Sequence, residues 1–244
     1  MSRKRKSKSS SQKRPKPPVV TVADPVVPCQ LYLITPPVIE DLQAFELDLI
    51  LALSAGVNCE PQQPIACVQI RLKDASDEDI IAAAGPIVEQ CHEYGALVII
   101  NDRPDLVGPC GADGAHIGQE DMDYYSSREL LGTDAILGVT CHNSKDLAFK
   151  AADAGADYVA FGAFFETQTK MPKARADVEI LEWWNQAVEV PCVAIGGINP
   201  SNAKAVIEAG ADFIAVSSGV WDHPDGPAEA VRQLSALCLE ASPQ

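Results

Sequence analysis

The residues best suited to chemistry lie at the ends of short apolar runs. In the second of these runs Gln69, Arg71 and Lys73 alternate along the chain. Alternate residues of an extended chain project to one side, so these three side chains are predicted to converge. The alternative is an exposed edge with ordinary surface charges, but the preceding run is too apolar for an edge. An arginine fork beside a lysine ammonium therefore predicts a site for a polyanion.

Acidic groups follow the next two apolar runs. Asn101 and Asp102 end one of them, and Asp121 closes the segment after the other. Carboxylates at neighbouring strand ends suit Mg²⁺, which proteins hold with one or two carboxylates plus substrate phosphates. Two local roles compete with this interpretation: Asp102 could cap a short helix beginning at Pro104, and Asp121 could stabilise a turn. With cations nearby, we favour the metal site.

Hydroxyl and basic side chains follow the fifth and sixth runs. Thr140 offers a hydroxyl to a ligand, whereas His142 is expected to be a structural hydrogen-bonding group and Cys141 to fill the core. The sixth run leads into a long polar loop that suits a lid, with a solvated loop as the alternative. Its groups for binding phosphate oxygens are Thr167, Thr169 and Lys170.

Small residues follow the last two apolar runs. These residues are Gly196, Gly197, Ser217 and Ser218. Small side chains leave backbone N–H groups accessible, and a phosphate can bind to them. In barrels of eight parallel strands, phosphate sites commonly form after strands seven and eight.

Eight apolar runs alternate with helical segments, which predicts a parallel α/β domain. The segment AGADYVA at 154–160 recurs as AGADFIA at 209–215, and in both the glycine is expected to end a helix before a strand begins. A doubly wound open sheet would carry a glycine-rich turn after its first strand, where this chain has Thr-Pro-Pro at 35–37. The predicted fold is therefore a single (β/α)8 TIM barrel over residues 29–244.

The N-terminal segment 1–28 differs from the rest in composition. Residues 1–18 hold eight lysines and arginines and no acid, so eleven basic residues face 34 acidic ones in the remainder. A segment rich in serine, lysine and proline is expected to be disordered, and proline-rich residues then connect it to the barrel. The acidic body makes nucleic acid an improbable main ligand.

Eight cysteines are scattered without a C-x-x-C pair, and several lie in apolar runs. Neither a secretory signal nor an apolar run of 18 residues is present, so we predict no membrane span and no disulfide framework. The expected compartment is the cytoplasm. A homo-oligomer is compatible with the sequence.

The strand-end residues together resemble the thiamine-phosphate synthase family along nearly all of residues 30–240. The matching motifs are QIRLK at 69–73, ND at 101–102, HIGQED at 116–121, GVT-x-H at 138–142, TQTK at 167–170, IGGI at 195–198 and the turn at Ser218. Each motif alone is weak, but seven in order at strand ends are specific.

The resemblance implies an Mg²⁺-dependent transferase that joins an aminopyrimidine-methyl pyrophosphate to a thiazole phosphate. In that family pyrophosphate leaves first, and the thiazole nitrogen captures the resulting pyrimidine-methyl cation. By motif, the pyrophosphate would be held by Arg71, Lys73, Asn101 and Lys170, and Mg²⁺ by Asp102 and Asp121. Gln69 and Thr140 would contact the pyrimidine. The thiazole phosphate would be held by Thr167, Thr169, Gly196, Gly197, Ser217 and Ser218.

The chain departs from the family pattern at two places. Thr140 stands where members commonly have serine, and the segment GAFFET at 162–167 lacks the usual prolines. Glu166 in that segment is more typical of the related thiazole tautomerases, which use a histidine matching His142. The alternatives are thus a tautomerase or a non-catalytic thiamine-phosphate-binding paralogue. The retained acidic and Thr-Lys motifs favour the synthase.

The sequence predicts opposite outcomes for a change in the sixth loop and a change at the N-terminus. Lys170→Ala should abolish pyrophosphate release from the two substrates, because it removes a cation that stabilises the leaving polyanion. Deletion of residues 1–18 should leave turnover unchanged, because that segment is too poor in apolar residues to pack. Both are measured as pyrophosphate release, and strong turnover by Lys170→Ala would contradict the assignment.

Overall fold

A closed barrel of eight parallel strands forms the chain's framework. The structure, a computed structural model, describes residues 28–58, 62–166 and 175–241. Each strand pairs with the next along the chain, which confirms the predicted TIM barrel. The strands are β1 (Gln30–Ile34), β2 (Cys67–Ile70), β3 (Leu97–Asn101), β4 (Gly114–Ile117), β5 (Ile136–His142), β6 (Tyr158–Gly162), β7 (Cys192–Ile195) and β8 (Phe213–Val216).

Helices cover the outside of the barrel. They are α1 (Leu42–Val57), α2 (Asp77–Glu93), α3 (Val107–Cys110), α4 (Tyr124–Leu131), α5 (Lys145–Ala154), α6 (Glu179–Ala187), α7 (Ala203–Glu208), α8 (Ser218–Trp221) and α9 (Pro227–Ala241). A 3-10 turn at Pro104–Leu106 leads into α3. The sequence did not predict α8, because four residues are too few to show helical periodicity. In the described part of the chain, no helix has the length and apolar character needed to cross a membrane.

The seam between β1 and β8 closes the barrel. These strands pair in parallel from Gln30 opposite Phe213 to Leu33 opposite Val216. At the carboxyl ends, Ser217 Oγ donates to the Thr35 carbonyl at 3.2 Å, and Trp221 Nε1 donates to the Ile34 carbonyl at 2.6 Å. The hydrogen bonds therefore continue beyond the strands and fix the loop after β8 against the end of β1.

A repeated aspartate joins neighbouring strands at the opposite rim. Asp113, Asp157 and Asp212 immediately precede β4, β6 and β8. Their carboxylates accept the backbone N–H groups of Val98, Leu137 and Cys192 at 2.7–2.8 Å. The glycines two residues earlier have positive φ, as predicted for helix ends before a strand. The repeated segment therefore carries a bond between strands as well as a helix stop.

Two apolar layers fill the structure. The larger lies between strands and helices and includes Trp184, which is fully buried and donates from Nε1 to the Val190 carbonyl at 2.7 Å. The smaller fills the barrel interior and contains two tyrosines, Tyr32 and Tyr158, whose rings meet edge to face at 6.0 Å. A side chain at Gly138 would overlap the Tyr158 ring, so this glycine makes room for the tyrosine.

We predict that Gly138→Ala lowers the free energy of unfolding by about 1–3 kcal/mol, because an added methyl group overpacks the barrel interior. Urea denaturation measures the change. In a Tyr158→Leu background the same substitution should cost clearly less, because the overlapping ring is gone. Equal costs in the two backgrounds would show that Tyr158 is not the group that the methyl meets.

Candidate active site

A cavity of about 280 Å³ opens at the carboxyl ends of the strands. The predicted site residues that line it are Gln69, Arg71, Asn101, Asp102, Asp121, Thr140, Gly196, Gly197, Ser217 and Ser218. They come from the ends of six strands, and barrel closure brings them together. Three others, Thr167, Thr169 and Lys170, lie outside the described residues.

Lys73 departs from the predicted position. Strand β2 ends at Ile70, and the Lys73 N–H donates to the Pro37 carbonyl at 2.8 Å as the chain turns. Asp74 follows with φ 58°, in the left-handed region. The predicted alternation therefore holds for Gln69 and Arg71 but is wrong for Lys73. Its side chain is exposed and lines a neighbouring groove, which shares the Ser217–Ser218 turn with the cavity.

Thr35 fixes the backbone at Arg71. This buried threonine accepts the Arg71 N–H through Oγ1 at 2.9 Å, and its own N–H donates to the Gln69 carbonyl at 3.0 Å. The end of β1 thereby supports the end of β2. The backbone from which the Arg71 side chain extends is therefore anchored, and Arg71 lines the cavity.

Two carboxyl groups meet at the mouth. Asp102 is open to the cavity but loses part of its hydration there, and Asp121 lies within hydrogen-bonding reach of it. Desolvation and the neighbouring Asp121 raise the pKa of Asp102 to about 6, although Arg71 acts in the opposite direction. A pair of like charges in this position favours binding of a proton or a cation between them.

The local alternatives for these carboxylates have different outcomes. Asp102 does not cap the helical turn at Pro104, because Arg103 occupies the capping position and Asp102 adopts a left-handed φ of 62°. Asp121 does stabilise a turn, since its Oδ2 accepts the Gly118 N–H at 2.7 Å. One oxygen of Asp121 is thus oriented by the backbone.

The acidic pair fits a cation that is completed by its substrate. Among the described residues, no three His, Cys, Asp or Glu side chains gather into a metal site. Mg²⁺, however, commonly takes only one or two protein carboxylates and fills its other positions with phosphate oxygens and water. Asp102 and Asp121 therefore suit Mg²⁺ bound together with a phosphorylated ligand.

The glycines after β7 have a packing role. Side chains at Gly196 or Gly197 would overlap Ala163 and the Glu166 carbonyl respectively. The segment that follows β6 lies directly against them, and the Phe165 N–H donates to the Gly196 carbonyl at 3.0 Å. Both glycines also have positive φ, of 104° and 68°. Because these two glycines have no side chains, they leave room for the loop after β6. Both also line the cavity.

Five polar side chains form a row of hydrogen bonds beneath the mouth. Gln69 Nε2 donates to Tyr32 Oη at 2.8 Å, and the Tyr32 and Tyr158 hydroxyls lie 2.9 Å apart. Tyr158 Oη is 2.9 Å from Nδ1 of His116, and His116 Nε2 is 2.7 Å from Thr140 Oγ1. The row runs through the barrel interior, and Gln69, His116 and Thr140 line the cavity.

Sequence reasoning assigned no role to three members of this row, Tyr32, Tyr158 and His116. Each lies in a short, largely apolar strand, so hydrophobicity alone marks it as core. A histidine inside such a strand was the available signal. Burial lowers the pKa of His116 to about 4, so its imidazole is neutral near pH 7.

The two residues after Thr140 differ in their settings. Cys141 is fully buried, as expected for a residue that fills the core, and burial raises the pKa of its thiol to about 12. His142 has φ 52°, follows an irregularity in the β5–β6 pairing and lines the cavity. Strand β5 continues to His142, so these residues lie at its end rather than after it.

Comparison with known proteins gives a consistent result. A sequence model described as thiamine monophosphate synthase matches residues 31–220. Thiamine-phosphate synthases of Rhodospirillum centenum and Hyphomonas neptunium are 55% and 48% identical, covering 86% and 88% of this chain and 97% and 96% of theirs. The structure of thiamine phosphate pyrophosphorylase from Pyrococcus furiosus has a TM-score of 0.74 and 30% identity, covering 87% of this chain and 96% of that one.

We predict that buried, neutral His116 makes stability depend on pH. Its pKa is about 4 in the folded protein and about 6.5 in an unfolded chain, so the unfolded state binds more protons between these values. Stability should therefore be complete above about pH 6.5 and should fall by about 3 kcal/mol as pH drops to about 4.

The comparison with His116→Gln isolates this contribution, because the raised pKa of Asp102 acts in the opposite direction over the same range. Denaturant unfolding of both proteins from pH 4 to 8 provides the measurement. A stability difference between them that does not change with pH would contradict the prediction.

Proposed function

Since the chain belongs to the thiamine monophosphate synthase family and is a transferase of that family, we propose how its barrel mouth carries out the reaction. One side of the cavity holds Arg71 and the Asp102–Asp121 pair, and the other holds the glycine and serine turns. This pairing of a charged wall with a small-residue wall in one cavity carries the proposal. Two phosphorylated substrates then bind side by side, each with its own anionic group.

The first substrate is an aminopyrimidine-methyl pyrophosphate. Arg71 holds its pyrophosphate by a bidentate contact, and Asn101 beside it supplies an amide donor. Lys170 is proposed as a further cation on sequence grounds. Lys73 lines the neighbouring groove, from which we propose that its charge attracts the incoming polyanion. The pyrimidine lies toward Gln69 and Thr140 at the inner end of the same cavity.

Asp102 and Asp121 are proposed to hold Mg²⁺ together with this pyrophosphate. The metal supplies a positive charge that offsets the charge developing on the leaving group. Arg71 contributes to the same electrostatic task from the protein side. The Gly118 N–H keeps Asp121 oriented, so the carboxylate does not have to reorganise when substrate binds.

The second substrate is a thiazole phosphate, and the turns after β7 and β8 hold its phosphate. These turns offer the phosphate backbone N–H groups and one hydroxyl, that of Ser218, which takes no part in the seam between β1 and β8. The residues concerned are Gly196, Gly197, Ser217 and Ser218. Ser217 already donates its hydroxyl to the Thr35 carbonyl. We therefore assign the side-chain contact with phosphate to Ser218 and the backbone contacts to its neighbours.

The chemical step exchanges one bond for another. The bond between the pyrimidine methylene carbon and the pyrophosphate oxygen breaks, and its electron pair leaves with the oxygen. The lone pair of the thiazole nitrogen then forms the new carbon–nitrogen bond. The products are thiamine monophosphate and pyrophosphate, and no general acid or base is required. The protein's contribution is to orient both substrates and stabilise the departing anion.

The thiazole tautomerase alternative draws on Glu166 and His142. Glu166 lines the groove beside Lys73 rather than the cavity, so it is placed away from the proposed pyrophosphate position. A protein that only bound thiamine phosphate would not need the acidic pair and Arg71. Both the pair and Arg71 line the cavity. These placements support the synthase.

The cytoplasm is the proposed compartment. All seven cysteines in the described ranges are buried, and none of them forms a disulfide bond there. Thiols in that state suit a reducing environment.

We predict that Asp102→Asn and Asp121→Asn each lower Mg²⁺-dependent pyrophosphate release by about 100-fold or more, because each removes a proposed metal ligand. The matched control is Asp105→Asn, which changes an exposed carboxylate paired with Arg103 outside the cavity. It should retain near-normal turnover.

A second measurement follows the metal directly. With pyrophosphate present, Mg²⁺ should raise the melting temperature of the wild type and of Asp105→Asn but not of the two site variants. Equal stabilisation of all four proteins would rule out the proposed ligands.

A further inference from the structure

The row of five polar side chains beneath the mouth has a direction. Each tyrosine hydroxyl has a single hydrogen, so it can donate to only one of its two neighbours in the row. The Gln69 amide nitrogen only donates, and it contacts Tyr32 Oη. The Tyr32 hydroxyl can then give its single hydrogen to Tyr158, and Tyr158 can give its hydrogen to Nδ1 of His116.

The direction fixes the tautomer of the histidine. If Nδ1 accepts from Tyr158, a neutral imidazole must carry its hydrogen on Nε2. That nitrogen lies 2.7 Å from Thr140 Oγ1, so the threonine oxygen accepts. The hydrogen of the Thr140 hydroxyl is then left for a group in the cavity, which Thr140 lines.

We propose that the row is a one-way hydrogen-bond chain in which His116, Tyr158 and Tyr32 are positioning residues that make Thr140 a donor to the bound substrate. The other end of the chain, Gln69 Oε1, remains an acceptor on the same cavity. The two ends therefore select a ligand with one acceptor and one donor, as an aminopyrimidine has. The identity of that ligand rests on the proposed function, whereas the direction of the chain does not.

The surroundings of His116 support its role as a positioning residue in this chain. The side chain is buried, and its ring stacks on Tyr158 with centroids 5.5 Å apart. It has a hydroxyl partner at each nitrogen, so neither tautomer leaves a nitrogen unpaired. In the proposed chain the preference between tautomers comes from Gln69, whose amide nitrogen donates at the far end of the row.

The test is ¹⁵N NMR of histidine-labelled protein without substrate. The chain has four histidines, and the resonance lost in His116→Gln identifies the one of interest. The wild type should show the Nε2–H tautomer of His116. A wild-type Nδ1–H tautomer would overturn the proposal.

Gln69→Glu tests the coupling along the row. A carboxylate of nearly the same shape accepts but cannot donate, so at pH 8 it should reverse every bond and convert His116 to the Nδ1–H tautomer. The matched control is Gln119→Glu, which adds the same charge to the cavity wall, where Gln119 contacts only the Thr140 backbone carbonyl among the members of the row. It should leave the tautomer unchanged. An unchanged tautomer in Gln69→Glu, or reversal by both variants, would contradict the chain.

Kinetics test the consequence for Thr140. Tyr158→Phe should lower kcat/KM by about three- to tenfold, the effect of one lost hydrogen bond. In a Thr140→Val background it should cause no further loss, because there is no hydroxyl left to orient. Additive losses in the double variant would show that Tyr158 has only a structural role. The tautomer measurement needs no turnover, so it stands even if the proposed reaction is wrong.

Discussion

Pairing of β1 with β8 is the interaction on which the site depends. Parallel strands place all their carboxyl ends on one rim, but only a closed sheet makes that rim a ring around a cavity. The Ser217–Thr35 hydrogen bond joins residues 182 positions apart at this seam. Without the β1–β8 pairing, the turns that carry the glycines and serines would not face Arg71 and the acidic pair. The two substrates would then have no shared cavity.

The sequence predicted the fold and most of the cavity because strand ends carry their polar residues in order. Gln69 and Arg71 were predictable from alternation along an extended segment, whereas Lys73 was not, because a turn begins after Ile70. Tyr32 and His116 escaped notice because strands this short, flanked by apolar residues, do not distinguish interior from exterior faces. The repeated aspartates were seen as a motif, but their bonds to neighbouring strands depend on the three-dimensional register.

Charged groups lie at the mouth of the barrel, and neutral polar side chains lie deeper inside it. At the mouth, ionisable groups face the cavity, and desolvation together with the neighbouring Asp121 raises the pKa of Asp102 to about 6. A few ångströms deeper, burial keeps His116 neutral and leaves the tyrosines as protonated hydroxyls. In the proposed function the groups at the mouth bind cations and phosphates, while the deeper side chains transmit only the direction of their hydrogen bonds. This separation lets a polar interior exist without an unpaired buried charge.

The repeated aspartates lie at the amino ends of the strands, on the rim opposite the cavity. Their bonds to Val98, Leu137 and Cys192 hold neighbouring strands together where no substrate binds. The stability of the barrel and the chemistry of the cavity therefore depend on residues at opposite ends of the strands. Such a scaffold can acquire a new substrate preference by substitution at one rim alone, which makes it suitable for engineering altered specificity.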